Sequence, residues 1–372
     1  MTDRPAIIVM GYSARALASS ASRAGFAPLS IDVFGDDDMR GISLASIKLE
    51  GGLPDGLAPD KVAGAVETLV GAHDPIGLVY GAGFEHQPET IAAIADRTLV
   101  FGNGADILKW AKDPLVLARV CEANGVPHPA IAFEPPHEPE LWLIKRIGGA
   151  GGAHIATAEA RSSARPDSYF QRRVGGKSIS ALFLASEKKV EIIGLSMQWT
   201  APTPESPFRY GGAAGPVDID PAQAKEIARS VAVIASELDL VGLNSADFLV
   251  STDAVWLIEI NPRPGATLDV FESTGTTLFA RHIAACEGHL THASASSAFQ
   301  AAEIVYAPHD IVVRRRGDWP DWAVDRSPTE TQIAAGDPVC TVLGSGVTVD
   351  SARGCASERA WKIIGLVQEV DH

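Results

Sequence analysis

The chain has 372 residues, 46% of them hydrophobic, too long for one ordinary core and suited to two or three domains. Its 31 basic and 46 acidic residues leave a net charge of −15. That argues against nucleic acid and against an anionic membrane as main partners, since both need a basic footprint. An anionic small ligand stays open, because it needs only a local cluster.

The first residues hold too short an apolar run for a signal peptide, and no apolar span reaches membrane length. Cys121, Cys286, Cys340 and Cys355 form no CxxC pair, so a cytoplasmic location with free thiols is expected.

In chain order, residues 5–100 alternate short apolar runs with helical patterns. "AIIVMG", "APLSIDVFGDDD" and "IGLVYGAGFE" read as strands, with an Ala-rich helix after the first and "PETIAAIAD" as a helix after the third. This βαβ pattern predicts a small parallel sheet with ligand groups at the carboxyl ends of its strands. Gly11, Ser13, Arg15, Asp32, Gly81, Gly83 and Glu85 fall at those ends. "GYSARA" lacks the second and third glycines of the dinucleotide fingerprint, which counts against an oxidoreductase.

"KDPLVLARVCEANG" then predicts a helix capped by Asp113, opened by Pro114 and stopped by Gly125. Residues 130–200 read as strands and hairpins. "DIDPAQAKEIARSVAVIASELDL" is a helix capped by Asp220, with Ile227, Val231, Ile234 and Leu238 on one face. "GLNSADFLV" and "AVWLIEI" read as paired strands. A linker at 291–298 precedes "EIVYAP", "DIVVRR", "PVCTVLG" and "VTVDSA", read as a small β domain.

Three stretches carry chemistry. In "VWLIEINPRPGATLD" an apolar strand ends where Pro262 and Pro264 forbid its continuation. Successive side chains alternate faces, so Glu259, Asn261 and Arg263 point the same way, with Asp247 facing them from the partner strand. Hard oxygen donors on a sheet edge suit Mg²⁺ sharing its shell with phosphates; a solvated strand end with an Arg263–Glu259 pair is the bland alternative. In "LWLIKRIGGAGGAHI", Lys145 ends a strand before Gly148, Gly149, Gly151 and Gly152, whose bare backbone can fold over phosphate oxygens. Lysine precedes the glycines, so this is not a P-loop. In "YFQRRVGGKSISALFLAS", Gln171 to Val174 could form a hinge against a nucleobase.

In this order the three stretches resemble the ATP-grasp superfamily over roughly residues 5–290. The resemblance implies α/β and α+β architecture: an N-terminal Rossmann-like pre-ATP-grasp domain (1–105), an ATP-grasp domain (106–290, lid about 130–180), and the small C-terminal β domain (299–372). It implies that Lys145 contacts the nucleotide phosphates, Gly148–Gly152 close over them, and Gln171, Arg173 and Val174 line the adenine pocket. Asp247, Glu259 and Asn261 would hold two Mg²⁺ ions, and Arg263 would steady an acyl phosphate. The usual first lysine follows an Asp at a helix start; here Pro114 does, so Lys112 is the candidate, with a different direction. Where the superfamily hinge offers carboxylates, this chain has Gln171, Arg172 and Ser178.

More narrowly, "YGAGFEHQPETI", "AKDPLVLARV", "KRIGGAGGAHI", "YFQRRVGGKSISALFLA" and "PFRYGGA" resemble ATP-grasp proteins encoded with tetrahydromethanopterin and methylofuran one-carbon genes of methylotrophic bacteria. These are similar to tyramine–glutamate ligases. The resemblance implies an ATP- and Mg²⁺-dependent ligase joining a small carboxylate to an amine in cofactor biosynthesis, with glutamate as one partner and a homodimer as a common assembly. Gly11, Ser13, Arg15, Glu85, Arg209 and Tyr210 are candidates for substrate contact. A bicarbonate-using carboxylase and a non-catalytic nucleotide sensor are the alternatives.

Overall fold

The computed structural model describes residues 4–51, 56–159, 166–272, 277–291, 298–314 and 319–368. Strands β1 (Ala6–Met10), β2 (Ala27–Asp32), β3 (Ala45–Lys48) and β4 (Leu78–Tyr80) form a parallel sheet in the order β3-β2-β1-β4. Helices α1 (Arg15–Arg23), α2 (Asp37–Ile42) and α3 (Pro59–His73) make the crossovers, and α4 (Pro88–Ala95) follows β4. Ile7 and Val9 feed one core while Ile8 and Met10 feed another. Both faces of β1 are therefore covered, which is why it reads as an unbroken apolar run.

Helices α5 (Ala105–Lys112) and α6 (Pro114–Ala123) meet at Asp113, whose carboxylate accepts from the Leu115 (2.8 Å) and Val116 (3.3 Å) amides. Beyond them, β5 (Ile131–Ala132), β6 (Trp142–Arg146), β7 (Ile155–Thr157) and β8 (Ser168–Arg172) form a small antiparallel sheet ordered β5-β8-β6-β7.

The large antiparallel sheet is built on β9 (Lys177–Ser186), β10 (Lys189–Thr200), β11 (Tyr210–Gly215), β12 (Gly242–Val250) and β13 (Val255–Asn261). Helix α7 (Pro221–Glu237) lays Ile227, Val231 and Ile234 on one face, packed with Ala181, Phe183 and Ala246. Helices α8 (Leu268–Phe271) and α9 (Leu278–Cys286) cover the other.

The C-terminal strands continue this sheet. β14 (Phe299–Tyr306), β18 (Pro338–Gly346) and β16 (Ala323–Val324) extend it to the order β13-β12-β9-β10-β11-β14-β18-β16, while β15 (Ile311–Val312) and β17 (Gln332–Ile333) pair separately. The stretch "VTVDSA", expected as strand, instead opens a long helix, α10 (Val349–Gln368). Ala352, Ala356, Ala360 and Ile363 bury one face of it in the C-terminal core, and that helical spacing outweighs the local β-branched preference. No helix among the described residues is long and apolar enough to cross a membrane.

Candidate active site

Strands β12 and β13 pair so that Asp247 stands opposite Glu259 and Ser245 opposite Asn261, with an irregularity just after Asp247. Cross-strand partners share a face, so two carboxylates and an amide converge at the sheet edge. Asn261 Nδ2 donates to Asp247 Oδ2 (3.0 Å), and Gln198 Nε2 donates to Asp247 Oδ1 (3.3 Å). Lys112, the last residue of α5, donates to Glu259 Oε1 (2.5 Å) and Asn261 Oδ1 (2.8 Å).

Burial disfavours the ionised form of Glu259, but the ammonium groups of Lys112 and Lys145 outweigh it and hold the carboxyl down at about 2. Asp247 moves the other way: burial first, then the Glu259 charge, push it up. One carboxylate is thus firmly ionised and its neighbour is held back, as for like charges sharing a site.

Lys145 is buried on β6. Its ammonium donates to Gln171 Oε1 (3.3 Å) and lies 4.0 Å from Glu259 Oε2. Burial lowers its affinity for a proton, against the pull of Glu259 and Asp247. Gln171 Nε2 is buried without a hydrogen-bond partner, a donor left over for a ligand acceptor.

The glycine loop lies against the N-terminal sheet. Gly148 (φ +70°) has no room for a side chain, since a Cβ there would come within 2.5 Å of the Glu85 carbonyl oxygen. Gly151 O accepts from the Tyr210 amide (2.9 Å). Beneath the loop is a small, partly open cavity whose lining includes Lys112, His128, Lys145, Gly149, His154 and Glu259. Tyr169, Leu117 and Ile258 give it apolar walls. Burial drives both histidines down to about 4, with the Lys145 charge adding to it, so they face the cavity neutral at pH 7.

Arg263 is buried. Its Nε (2.9 Å) and Nη2 (2.7 Å) both reach Glu85 Oε1, and Nη2 lies 3.4 Å from Asn261 Oδ1. The other oxygen of Glu85 accepts from the Gly83 (2.7 Å) and Phe84 (3.0 Å) amides. Burial opposes ionisation of Glu85, but Arg263 and then Lys112 hold its carboxyl low. Glu85 therefore orients the guanidinium and has little left for a substrate.

Several sequence candidates lie elsewhere. Arg173 is exposed and Val174 half-buried, and neither lines the cavity; of the expected hinge set only Gln171 reaches Lys145. Arg15 is clamped by Asp269 (2.7 and 2.6 Å) and by Asp325 (3.0 and 3.1 Å). Ser13 Oγ donates to Asp325 Oδ1 (3.0 Å). Gly11 is buried, its amide on Ile31 O (3.2 Å). Arg209 donates to Ala201 O (2.9 Å) and Gly336 O (2.7 Å) and stacks 3.6 Å over the Tyr306 ring. Arg15 and Arg209 are thus spent on structure. Tyr210 Oη is buried without a partner and near Asp247, so it keeps an unused buried donor. Sequence reading missed Tyr169, which shares a strand face with Gln171 two residues on. It also missed His128, for which no local signal exists.

Residues 111–267 match the family model of the ATP-grasp domain. N5-carboxyaminoimidazole ribonucleotide synthetase from Thermus thermophilus superposes with a TM-score of 0.67 at 15% identity, covering 98% of this chain and 99% of that one. The chain has the ATP-grasp fold. L-amino acid ligase from Bacillus licheniformis gives a TM-score of 0.69 at 14% identity over 96% of this chain and 97% of that one. The biotin carboxylase domain of Hydrogenobacter thermophilus 2-oxoglutarate carboxylase, crystallised with MgADP and bicarbonate, gives 0.70 at 12% identity over 94% and 89%. A search of curated protein sequences finds no match.

Proposed function

We propose that this ATP-grasp chain is an ATP- and Mg²⁺-dependent ligase that joins a carboxylate to an amine through an acyl phosphate. The observation that carries the reading is the convergence of Lys112, Lys145 and Arg263 on Asp247, Glu259 and Asn261 beside a glycine-covered cavity. Transfer of a phosphoryl group needs positioning and charge neutralisation more than covalent help from side chains.

The donor set fits magnesium. Two carboxylates and an amide carbonyl meet, and an ammonium already sits between two of them. Among the described residues no three His, Cys, Asp or Glu side chains gather as a metal cluster. An ion held here takes the rest of its shell from phosphate and water, as Mg²⁺ commonly does. Asp247, Glu259 and Asn261 would hold it, and bound there it would neutralise phosphate charge.

In this reading the substrate carboxylate attacks the γ-phosphorus and ADP leaves. The amine then attacks the acyl carbon and phosphate leaves. Lys145 and the Gly148–Gly152 amides would bind the transferred phosphates, with the unpaired Gln171 amide available to the nucleotide. Arg263, held at fixed orientation by Glu85, would meet the acyl phosphate. A second, small pocket lined by Tyr12, Glu85, His86, Arg146, Gly148 and Ala150 shares Arg146 and Gly148 with the first, and its groups would face the second substrate. The motif resemblance supports glutamate as one partner in a methanofuran- or pterin-type cofactor pathway. Four free cysteines support a reducing cytoplasm. We also take residues 1–105, 106–290 and 299–372 as the functional divisions, and a homodimer as the assembly.

A bicarbonate-using reaction is the second reading, favoured by the carboxylase structures among the similar folds. The test is Mg²⁺-dependent ADP release with tyramine, tyrosine, glutamate and glutamyl peptides in pairs, and with bicarbonate alone. A productive pair, silenced by Asp247→Asn and Glu259→Gln, is the expected result. Release with bicarbonate alone moves the assignment to a carboxylase, and tight ATP binding without release under any condition sinks the ligase.

A further inference from the structure

Lys112 stands before Asp113, two positions ahead of where the ATP-grasp resemblance places the first lysine, and the consequence is geometric. Lys112 ends α5 immediately before the Asp113–Pro114 break, so its side chain leaves the last turn toward the end of β13. It is buried, with only 5% of the side chain exposed, and its ammonium lies 2.5 Å from Glu259 Oε1 and 2.8 Å from Asn261 Oδ1. Those are two of the three oxygen-bearing side chains that would ligate magnesium. The third, Asp247, is tied to Asn261 Nδ2 (3.0 Å), so one hydrogen-bonded cluster holds all three ligands around the ammonium.

A magnesium ion sits about 2.0–2.1 Å from its oxygens, so Glu259 Oε1 and Asn261 Oδ1 cannot serve it while the ammonium is this close. Repulsion between a dication and an ammonium in one ligand shell opposes joint occupancy as well. Lys145 is no such obstacle: it is 4.0 Å from the other Glu259 oxygen and anchored on Gln171. Lys112 also lines the main cavity, where nucleotide phosphates would offer it a new anionic partner.

We infer that Lys112 is a resident counter-ion of the metal-ligand set, filling the divalent cation's place until a nucleotide draws it away. The inference rests on the metal assignment of the ligase reading. It makes metal and nucleotide entry coupled: phosphates remove the ammonium, and the vacated oxygens accept the ion. A free divalent ion must instead displace an ion-paired lysine with nowhere to go.

The test is titration with Mn²⁺ in the absence of nucleotide, followed by the electron paramagnetic resonance of the free ion and by thermal melting. Lys112→Met is expected to bind Mn²⁺ more tightly than wild type, on the order of tenfold, a typical coupling between sites. Lys112→Arg, which keeps the charge, should stay weak. Lys112→Met combined with Glu259→Gln should lose the gain, which places it at this site. Removing Lys112 leaves Glu259 without its closest cation, so the variant can be unstable alone; Mn²⁺ should then raise its melting temperature more than that of wild type. If Lys112→Met shows neither tighter Mn²⁺ binding nor a larger melting shift, the inference is overturned. Tighter binding in a chain that releases no ADP with any substrate pair would uphold it and remove the ligase reading instead.

Discussion

Two buried charge clusters lie at strand ends in this molecule, and they differ in what is left over. At the end of β13, Lys112, Lys145 and Glu259 line a cavity, Asn261 and Gln171 accept hydrogen bonds from the two lysines, and Gln171 keeps an unpaired amide. At the ends of β1 and β2, Arg15 is bound on both sides by Asp269 and Asp325, and Ser13 adds a further bond to Asp325. The backbone amides of Asp325 (3.0 Å) and Arg326 (2.8 Å) are themselves held by Asp38. The first cluster faces space that a ligand can enter; the second fastens the C-terminal segment to the N-terminal sheet. Charge at a strand end does not by itself mark a ligand site. What distinguishes the two is whether the charged groups have already spent their hydrogen bonds.

The strongest test of that contrast is Arg15→Met. It leaves two largely buried carboxylates without their cation, and breaking a buried pair from one side costs up to about 3–5 kcal/mol. Urea unfolding should show that loss, while the folded fraction keeps its affinity for ATP. A stable variant with weakened nucleotide binding would return Arg15 to the active site.

A sharper probe is Glu85→Gln, because Glu85 belongs to the N-terminal sheet yet serves the active site. Glutamine keeps the shape, but its single acceptor oxygen cannot serve both Arg263 and the Gly83 and Phe84 amides, and its amide nitrogen only donates. Arg263 then loses its charged anchor. We expect kcat to fall on the order of tenfold with KM for ATP unchanged, since a misaligned guanidinium weakens the transition state more than nucleotide binding. A rise in KM for ATP with normal kcat would show that Glu85 acts on nucleotide binding instead.

The sequence showed the local half of each cluster. Alternation along β13 placed Glu259, Asn261 and Arg263 on one face, and the β12–β13 hairpin brought Asp247 beside them, because strand period and short turns are local rules. The partners were not legible. Lys112 meets Glu259 across 147 residues, Arg263 meets Glu85 across 178, and Arg15 meets Asp325 across 310. No local pattern says which buried cation finds which anion, so Arg15 and Arg209 looked as available as Arg263. Helix α10 failed for the opposite reason. Its Ala352, Ala356, Ala360 and Ile363 repeat is in the sequence, but the β-branched Val347, Thr348 and Val349 at its start favour a strand locally.

The mildest expected effect is at Asp36, in the closed cluster. It is buried, its Oδ2 has no hydrogen-bond partner, and its side chain does not cap α2. Burial first, then the charges of Asp325, Asp32 and Asp38, push its carboxyl up to about 9, against the pull of Arg15. The folded chain thus holds a proton that the unfolded chain releases near pH 4. Whatever stability the neutral acid contributes is complete below that pH and is lost as pH rises toward 9. Asp36→Asn is neutral at every pH and can donate to the neighbouring carboxylates. It should match wild type near pH 4 and exceed it by about 1 kcal/mol or more at pH 8, read from paired urea titrations across that range. A difference that stays flat with pH would mean that Asp36 is ionised in the fold and that the cluster holds one more compensating cation than the geometry shows.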